Sequence, residues 1–199
     1  MSRPRLEFWY EFASTYSYPA VMRVERIAAA QDVEVVWRPF LLGPIFRQRG
    51  FEDSPFNANP VKGRYMWRDL ARICAAEGLV FRRPSVFPRN GLLAARAALA
   101  GTEAEIVPFS RAVFEANFAH DREIADPETL RPLITATGGD AGAVLARAAT
   151  EPVKAALRRQ VERAIELGIF GAPSFVAADG ELFWGNDRLE PAVTWAARG

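Results

Sequence analysis

Ser14 and Ser17 place two hydroxyls in Ser14-Thr15-Tyr16-Ser17, between an apolar run from Leu6 to Phe12 and a helix-like stretch from Pro19. A strand, a tight turn and a helix N-terminus in that order direct backbone N–H groups and the positive end of a helix dipole at one point, which favours a phosphate, carboxylate or thiolate. A serine there can donate a hydrogen bond to a thiolate but cannot form a disulfide. Taken alone, Ser14 also reads as a helix N-cap or turn residue, and Ser17 as a supporting residue or N-cap. Tyr16 and Tyr18 read as packing aromatics.

A second stretch, Gly168-Ile169-Phe170-Gly171-Ala172-Pro173-Ser174-Phe175-Val176, sends a glycine turn and a proline directly into an apolar strand. The Ala172-Pro173 bond is a candidate cis peptide, which would present the N–H and C=O of Ala172 to an extended, peptide-like ligand. In combination with Ala172 and Pro173, Ser14 becomes a thiol-binding candidate. Its hydroxyl and the helix dipole would then hold a thiol's pKa below the free value of about 8.5. Phe183 to Leu189 closes a hairpin and opens a last helix, with Asp187 and Glu190 at capping-box spacing. Asn59, Pro60 and Lys62 open another helix, where an amide and an ammonium can meet a carboxylate.

These residues need a frame. Leu6 to Phe12 and Val33 to Arg38 read as strands joined by a helix whose apolar face is Val21, Met22, Val24, Ile27 and Ala28, a βαβ unit with parallel strands. Arg47 to Ala58 reads as a surface loop, followed by a helix from Val61 to Glu77 that ends at Gly78. Helical patterns continue over Asn90–Ala100, Glu103–Ala119, Pro127–Ala136, Ala141–Ala149 and Glu151–Leu167. Ser174–Ala178 and Glu181–Trp184 form the closing strand pair about the turn Asp179-Gly180.

The set Phe12 to Tyr18, Arg38 to Gly43, Asn59 to Lys62, Gly171 to Phe175 and Phe183 to Leu189 resembles the 2-hydroxychromene-2-carboxylate isomerase family. That family is close to the kappa-class glutathione transferases and to the DsbA-like disulfide oxidoreductases. The resemblance runs from Leu6 to about Trp195. It implies an α/β, thioredoxin-like fold, residues 1–45 and 168–199, interrupted by an all-helical insertion, residues 46–167. It further implies a glutathione-dependent isomerase that works by thiolate addition and elimination. Ser14 would be catalytic, and Ser14, Ala172, Pro173, Trp184, Gly185, Asn186, Asp187 and Arg188 would line the glutathione pocket. Arg47, Asn59, Pro60 and Lys62 would hold an aromatic carboxylate, with Phe46 or Phe87 orienting its ring. Arg47 stands where these isomerases tend to carry a lysine. A homodimer is implied by the same resemblance. The alternatives are a kappa-type glutathione transferase and a noncatalytic, peptide-binding thioredoxin-like module; a disulfide oxidoreductase is excluded because neither serine forms a mixed disulfide.

Composition agrees with one ordinary globular chain: 199 residues, half of them hydrophobic and a quarter charged. Twenty-five basic against 24 acidic residues leave a formal net charge of +1, which gives no argument for nucleic acid or an anionic membrane surface. Met1 to Arg5 is not followed by an uninterrupted apolar segment or a cleavage site, so the expected location is cytoplasmic. The single cysteine, Cys74, excludes an intrachain disulfide and a cysteine-rich zinc site, and reads as a small buried hydrophobe. His120, the only histidine, has no partner at a metal or triad spacing and reads as a surface residue. Phe87-Pro88-Arg89-Asn90 reads as a loop followed by a helix cap at Asn90, and the resemblance equally implies a segment near the substrate pocket.

Overall fold

The computed structural model describes residues 3–50 and 53–199. Four strands form one sheet: β1 (Arg5–Tyr10), β2 (Glu34–Pro39), β3 (Ser174–Ala177) and β4 (Leu182–Trp184), in the order β2-β1-β3-β4. β1 runs parallel to β2 through α1 (Ser17–Ala29), and antiparallel to β3 with Trp9 opposite Ser174 and Leu6 opposite Ala177. Between β2 and β3 lie α2 (Leu42–Gln48), α3 (Pro55–Ala58), α4 (Pro60–Ala76), α5 (Leu92–Ala100), α6 (Glu103–Phe118), α7 (Pro127–Ala136), α8 (Ala141–Ala148) and α9 (Glu151–Glu166). A 3₁₀ turn (Asn186–Arg188) and α10 (Leu189–Ala196) end the chain. No helix among the described residues is long and apolar enough to cross a membrane.

Strand alternation sends side chains of β1 to two different cores. Leu6, Phe8 and Tyr10 join Trp37 and Phe175 in the larger cluster, whereas Trp9 joins Phe40, Leu42, Ile45, Ile169 and Val176 in the smaller. The larger cluster continues through Phe109, Phe114 and Phe118 of α6 to Ile134 and Val144, so the sheet and the helical tract share one apolar interior. α5 buries only alanines (Ala94, Ala95, Ala97, Ala98 and Ala100), small side chains that let other helices pack close to it.

Helix starts follow local chemistry. Asn59 Oδ1 accepts from the N–H groups of Val61 and Lys62, both at 3.1 Å, with Pro60 in the first turn of α4. Asp126 and Asp140 cap α7 and α8 in the same way, and Thr102 with Glu105 forms a capping box on α6.

Two expectations need correction. The segment expected as a loop from Arg47 to Ala58 holds the end of α2 and the whole of α3, with Phe51 and Glu52 outside the described residues. Burial of Leu42 and Ile45 in the smaller core carries α2 forward, and Ser54 Oγ, accepting from Phe56 N–H at 3.3 Å, starts α3 with Pro55 in its first turn. Asp187 does not cap the last helix with Glu190: it lies inside the 3₁₀ turn, α10 begins at Leu189 without a side-chain cap, and Glu190 pairs with Arg23. A tertiary ion partner outcompetes the local cap there.

Phe8 is the centre of the larger core, its ring 5.2 Å from Tyr10, 5.1 Å from Trp37 and 5.2 Å from Phe175. Phe8→Ala is expected to cost about 3–5 kcal/mol, read as a lowered urea midpoint; a loss under about 1 kcal/mol would show that this ring cluster is not central to stability.

Candidate functional site

The turn between β1 and α1 is held from several sides. Ser14 N–H donates to Glu11 C=O at 2.9 Å, Asn117 Nδ2 of α6 donates to Phe12 C=O at 3.1 Å, and Thr15 Oγ1 meets Met66 Sδ of α4 at 3.2 Å. The half-buried Ser14 hydroxyl donates to Ala172 C=O at 2.9 Å and accepts from Ser17 N–H at 3.3 Å. It therefore acts on the first turn of α1 and on the loop before β3 at once. Ser17 is the first residue of α1, fully buried, and its Oγ has no hydrogen-bond partner among the described residues. Tyr16 and Tyr18 commit their phenols elsewhere, to Asp69 Oδ2 at 3.0 Å and Val80 C=O at 2.7 Å, and burial raises both above the usual tyrosine range.

Across the turn, the Ala172-Pro173 peptide is cis. Gly185 N–H donates to Pro173 C=O at 2.9 Å, which ties the segment Trp184–Arg188 to the same loop. Gly185 has φ +114° and an added Cβ would lie 2.6 Å from Asp187 Oδ1, so only glycine fits. Trp184 packs its indole directly on Gly171, where an added Cβ would sit 2.9 Å from Cε2. Ser14, Ala172, Pro173 and the turn from Trp184 to Arg188 thus form one connected site.

The side chains of that turn divide by burial. Asn186 is buried and accepts from Arg23 Nη2 at 2.8 Å; Asp187 and Arg188 are exposed and pair with each other at 2.8 Å. Arg23, only 8% exposed, also donates to Pro19 C=O at 3.1 Å, Glu77 at 2.7 Å and Glu190 at 3.2 Å. One buried guanidinium therefore fixes the turn from Trp184 to Arg188 against α1 and the end of α4. Sequence reasoning passed over Arg23; its signal was a cation between Met22 and Val24 on an otherwise apolar helix face.

Asn59 spends its amide oxygen on capping α4. Lys62 Nζ lies 5.4 Å from the Phe56 ring centroid, and Phe56 stands 6.1 Å from Tyr16, so ring contacts link this patch to the Ser14 turn. Arg47 is exposed in the last turn of α2, and none of the described contacts joins it to Ser14 or Ala172. Phe87 packs edge-on against Trp67 at 4.8 Å. Arg89 is buried against Asn117 and Asp121, a structural role; Asn90 Oδ1 accepts from Leu92 N–H at 2.9 Å. His120 is exposed, and Cys74 is buried with its thiol pushed up to about 11 by desolvation.

Glu11 was also missed. It is 9% exposed, with its carboxyl against Gly91, where an added Cβ would lie 2.7 Å from Oε1. Burial pushes it up to about 7, partly offset by the Ala13 backbone hydrogen bond. Below that pH the neutral carboxyl adds no negative charge against an anion at the start of α1.

A sheet of this order, a helix N-terminus aimed at a cis-proline loop and a helical tract between them define a thioredoxin-like protein of the DsbA type. The family model for the DSBA-like thioredoxin domain matches residues 5–193, and the chain belongs to that family. Over 186 residues it is 26% identical to 2-hydroxychromene-2-carboxylate isomerase of Sphingobium xenophagum, covering 93% of this chain and 94% of that protein. It is 27% identical to glutathione S-transferase kappa 1 of Homo sapiens, covering 93% of this chain and 87% of the relative. A solved structure of 2-hydroxychromene-2-carboxylate isomerase superposes with a TM-score of 0.86 at 23% identity, covering 98% of this chain and 95% of that one; at this identity the likeness establishes fold.

Arg23→Met is expected to lose about 3–5 kcal/mol in chemical denaturation, because Glu77 and the buried Asn186 lose their shared cation; an unchanged midpoint would show that the guanidinium is not what holds the turn. Between the ordinary carboxyl value of 4.5 and about 7, the folded chain keeps a proton on Glu11 that the unfolded chain has lost. Stability should fall as pH rises through that window, by about 3 kcal/mol at most, and then level off. Glu11→Gln should remove this slope; parallel pH curves for wild type and variant would refute the assignment.

Proposed function

We propose that this chain is a glutathione-dependent isomerase acting on 2-hydroxychromene-2-carboxylate or a related aromatic carboxylate. The observation that carries the reading is the Ser14 hydroxyl, 2.9 Å from Ala172 C=O and 3.3 Å from Ser17 N–H at the start of α1. The donor set suits glutathione: a backbone edge at Ala172 for a cysteinyl residue, a hydroxyl and a helix N-terminus for a thiolate, and Asp187 for an ammonium. Bound there, glutathione would supply the nucleophilic thiolate for an addition–elimination isomerisation of a conjugated substrate.

The chain's own residues do the rest. The Ser14 hydroxyl, which in this structure donates to Ala172 C=O, would donate to a bound thiolate instead once rotated about its C–O bond, with its oxygen still accepting from Ser17 N–H. The α1 dipole adds to that stabilisation. Arg23 acts through Asn186 to hold the Asp187 carboxylate in place. Lys62, Asn59 and Arg47 supply polar groups for the anionic end of a second substrate, with Lys62 beside the Phe56 ring. The isomerases among the curated relatives support this reading, and the kappa transferase supports the second one, in which the glutathione adduct is released as product. The two readings share thiolate activation and differ in the fate of the adduct.

The test is the pH dependence of glutathione thiolate absorbance on wild type and Ser14→Ala. Wild type should titrate about one unit or more below the free thiol near 8.5, and the variant should move back toward that value. Absence of a bound thiolate in both proteins would sink the enzyme reading.

A further inference from the structure

Beside Ala172, two large apolar rings are left open: Phe170 is 37% and Trp184 50% exposed. Their centroids lie 4.7 Å apart at 57°, and the Arg49 guanidinium covers Phe170 at 5.6 Å from the ring centre. Contact with Gly171 holds the Trp184 indole, and Arg49 is fixed at the C-cap of α2, its N–H bonded to the carbonyls of Phe46 and Arg47. Among the described residues no carboxylate pairs with Arg49, whose guanidinium carries donors along its edge.

We propose that Arg49, Phe170 and Trp184 form the subsite for the second substrate, taking a planar aromatic acid whose ring stacks on the two exposed rings and whose carboxylate meets the edge of Arg49. This rests on the reading that glutathione occupies the adjoining Ala172 site. A guanidinium already oriented by an aromatic face loses little freedom when it takes a carboxylate in fork geometry. Arg49, over Phe170, is thereby a further cation for the carboxylate beside Arg47 and Lys62, and the one that a ring stacked on Phe170 and Trp184 would meet.

The subsite is tested without glutathione, by calorimetric titration of trans-cinnamate and its uncharged counterpart cinnamamide into wild type, Arg49→Gln and Phe170→Leu. Wild type should bind cinnamate about tenfold or more tightly than cinnamamide. Arg49→Gln should abolish that preference, while Phe170→Leu weakens both probes by a similar factor and keeps it. Equal affinities in wild type, a preference that survives Arg49→Gln, or no cinnamate binding at all would overturn the proposal. Thiolate absorbance of bound glutathione in Arg49→Gln separates the two ideas. A wild-type titration there leaves the thiolate site standing if the subsite fails, and a cinnamate preference without any bound thiolate shows an aromatic-acid site at Arg49 but overturns its role as the second-substrate subsite together with the isomerase reading.

Discussion

The antiparallel pairing of β1 with β3, with Trp9 opposite Ser174, is the constraint on which the site depends. In that register the C-terminal end of β1 and the N-terminal end of β3 leave the sheet at the same edge. The turn that carries Ser14 and the loop that carries Ala172 are therefore neighbours, although 158 positions separate them, and one hydrogen bond spans the gap. A slip of one residue would exchange the faces of β1, moving Phe8 and Tyr10 out of the larger core and Trp9 out of the smaller. The burial of aromatics on both faces thus fixes the register, and the register fixes the chemistry.

Around this edge, charge is arranged so that an anion at α1 faces little opposition. The acid closest in sequence to Ser14 on the β1 side, Glu11, is buried and held largely neutral up to about pH 7. Glu77 and Glu190 are engaged by Arg23, whose own charge is compensated by them. Asp187 remains exposed and pairs with its neighbour Arg188. With serines at positions 14 and 17, the start of α1 carries no thiol of its own that could form a disulfide.

Most of the strand and helix pattern was legible because it depends on neighbours in sequence. Pro127–Ala136 matches its expected bounds, and the other long helices fall within a residue or two of theirs, since caps and periodicity are local signals. The misread places are those where a distant partner decides. Glu190 satisfied a local capping rule with Asp187, yet its carboxylate goes to Arg23 on α1, and the chain turns as a 3₁₀ segment instead. α2 extends into a polar stretch because two of its residues are drawn into a core built by β1 and β3.

The sequence by itself determined the α/β class, the serine pair at a strand-to-helix turn, the proline that opens β3 and the glycine-containing turn after β4, because each is a matter of residue type and short spacing. Only the tertiary structure decided what those pieces touch: Ser14 on the Ala172 carbonyl, Arg23 on Asn186, Glu11 against Gly91, and Arg49 over Phe170 beside Trp184. These contacts join residues far apart in the chain. Their geometry is set by strand register and by the packing of helices on the sheet, and no local pattern of residues encodes either.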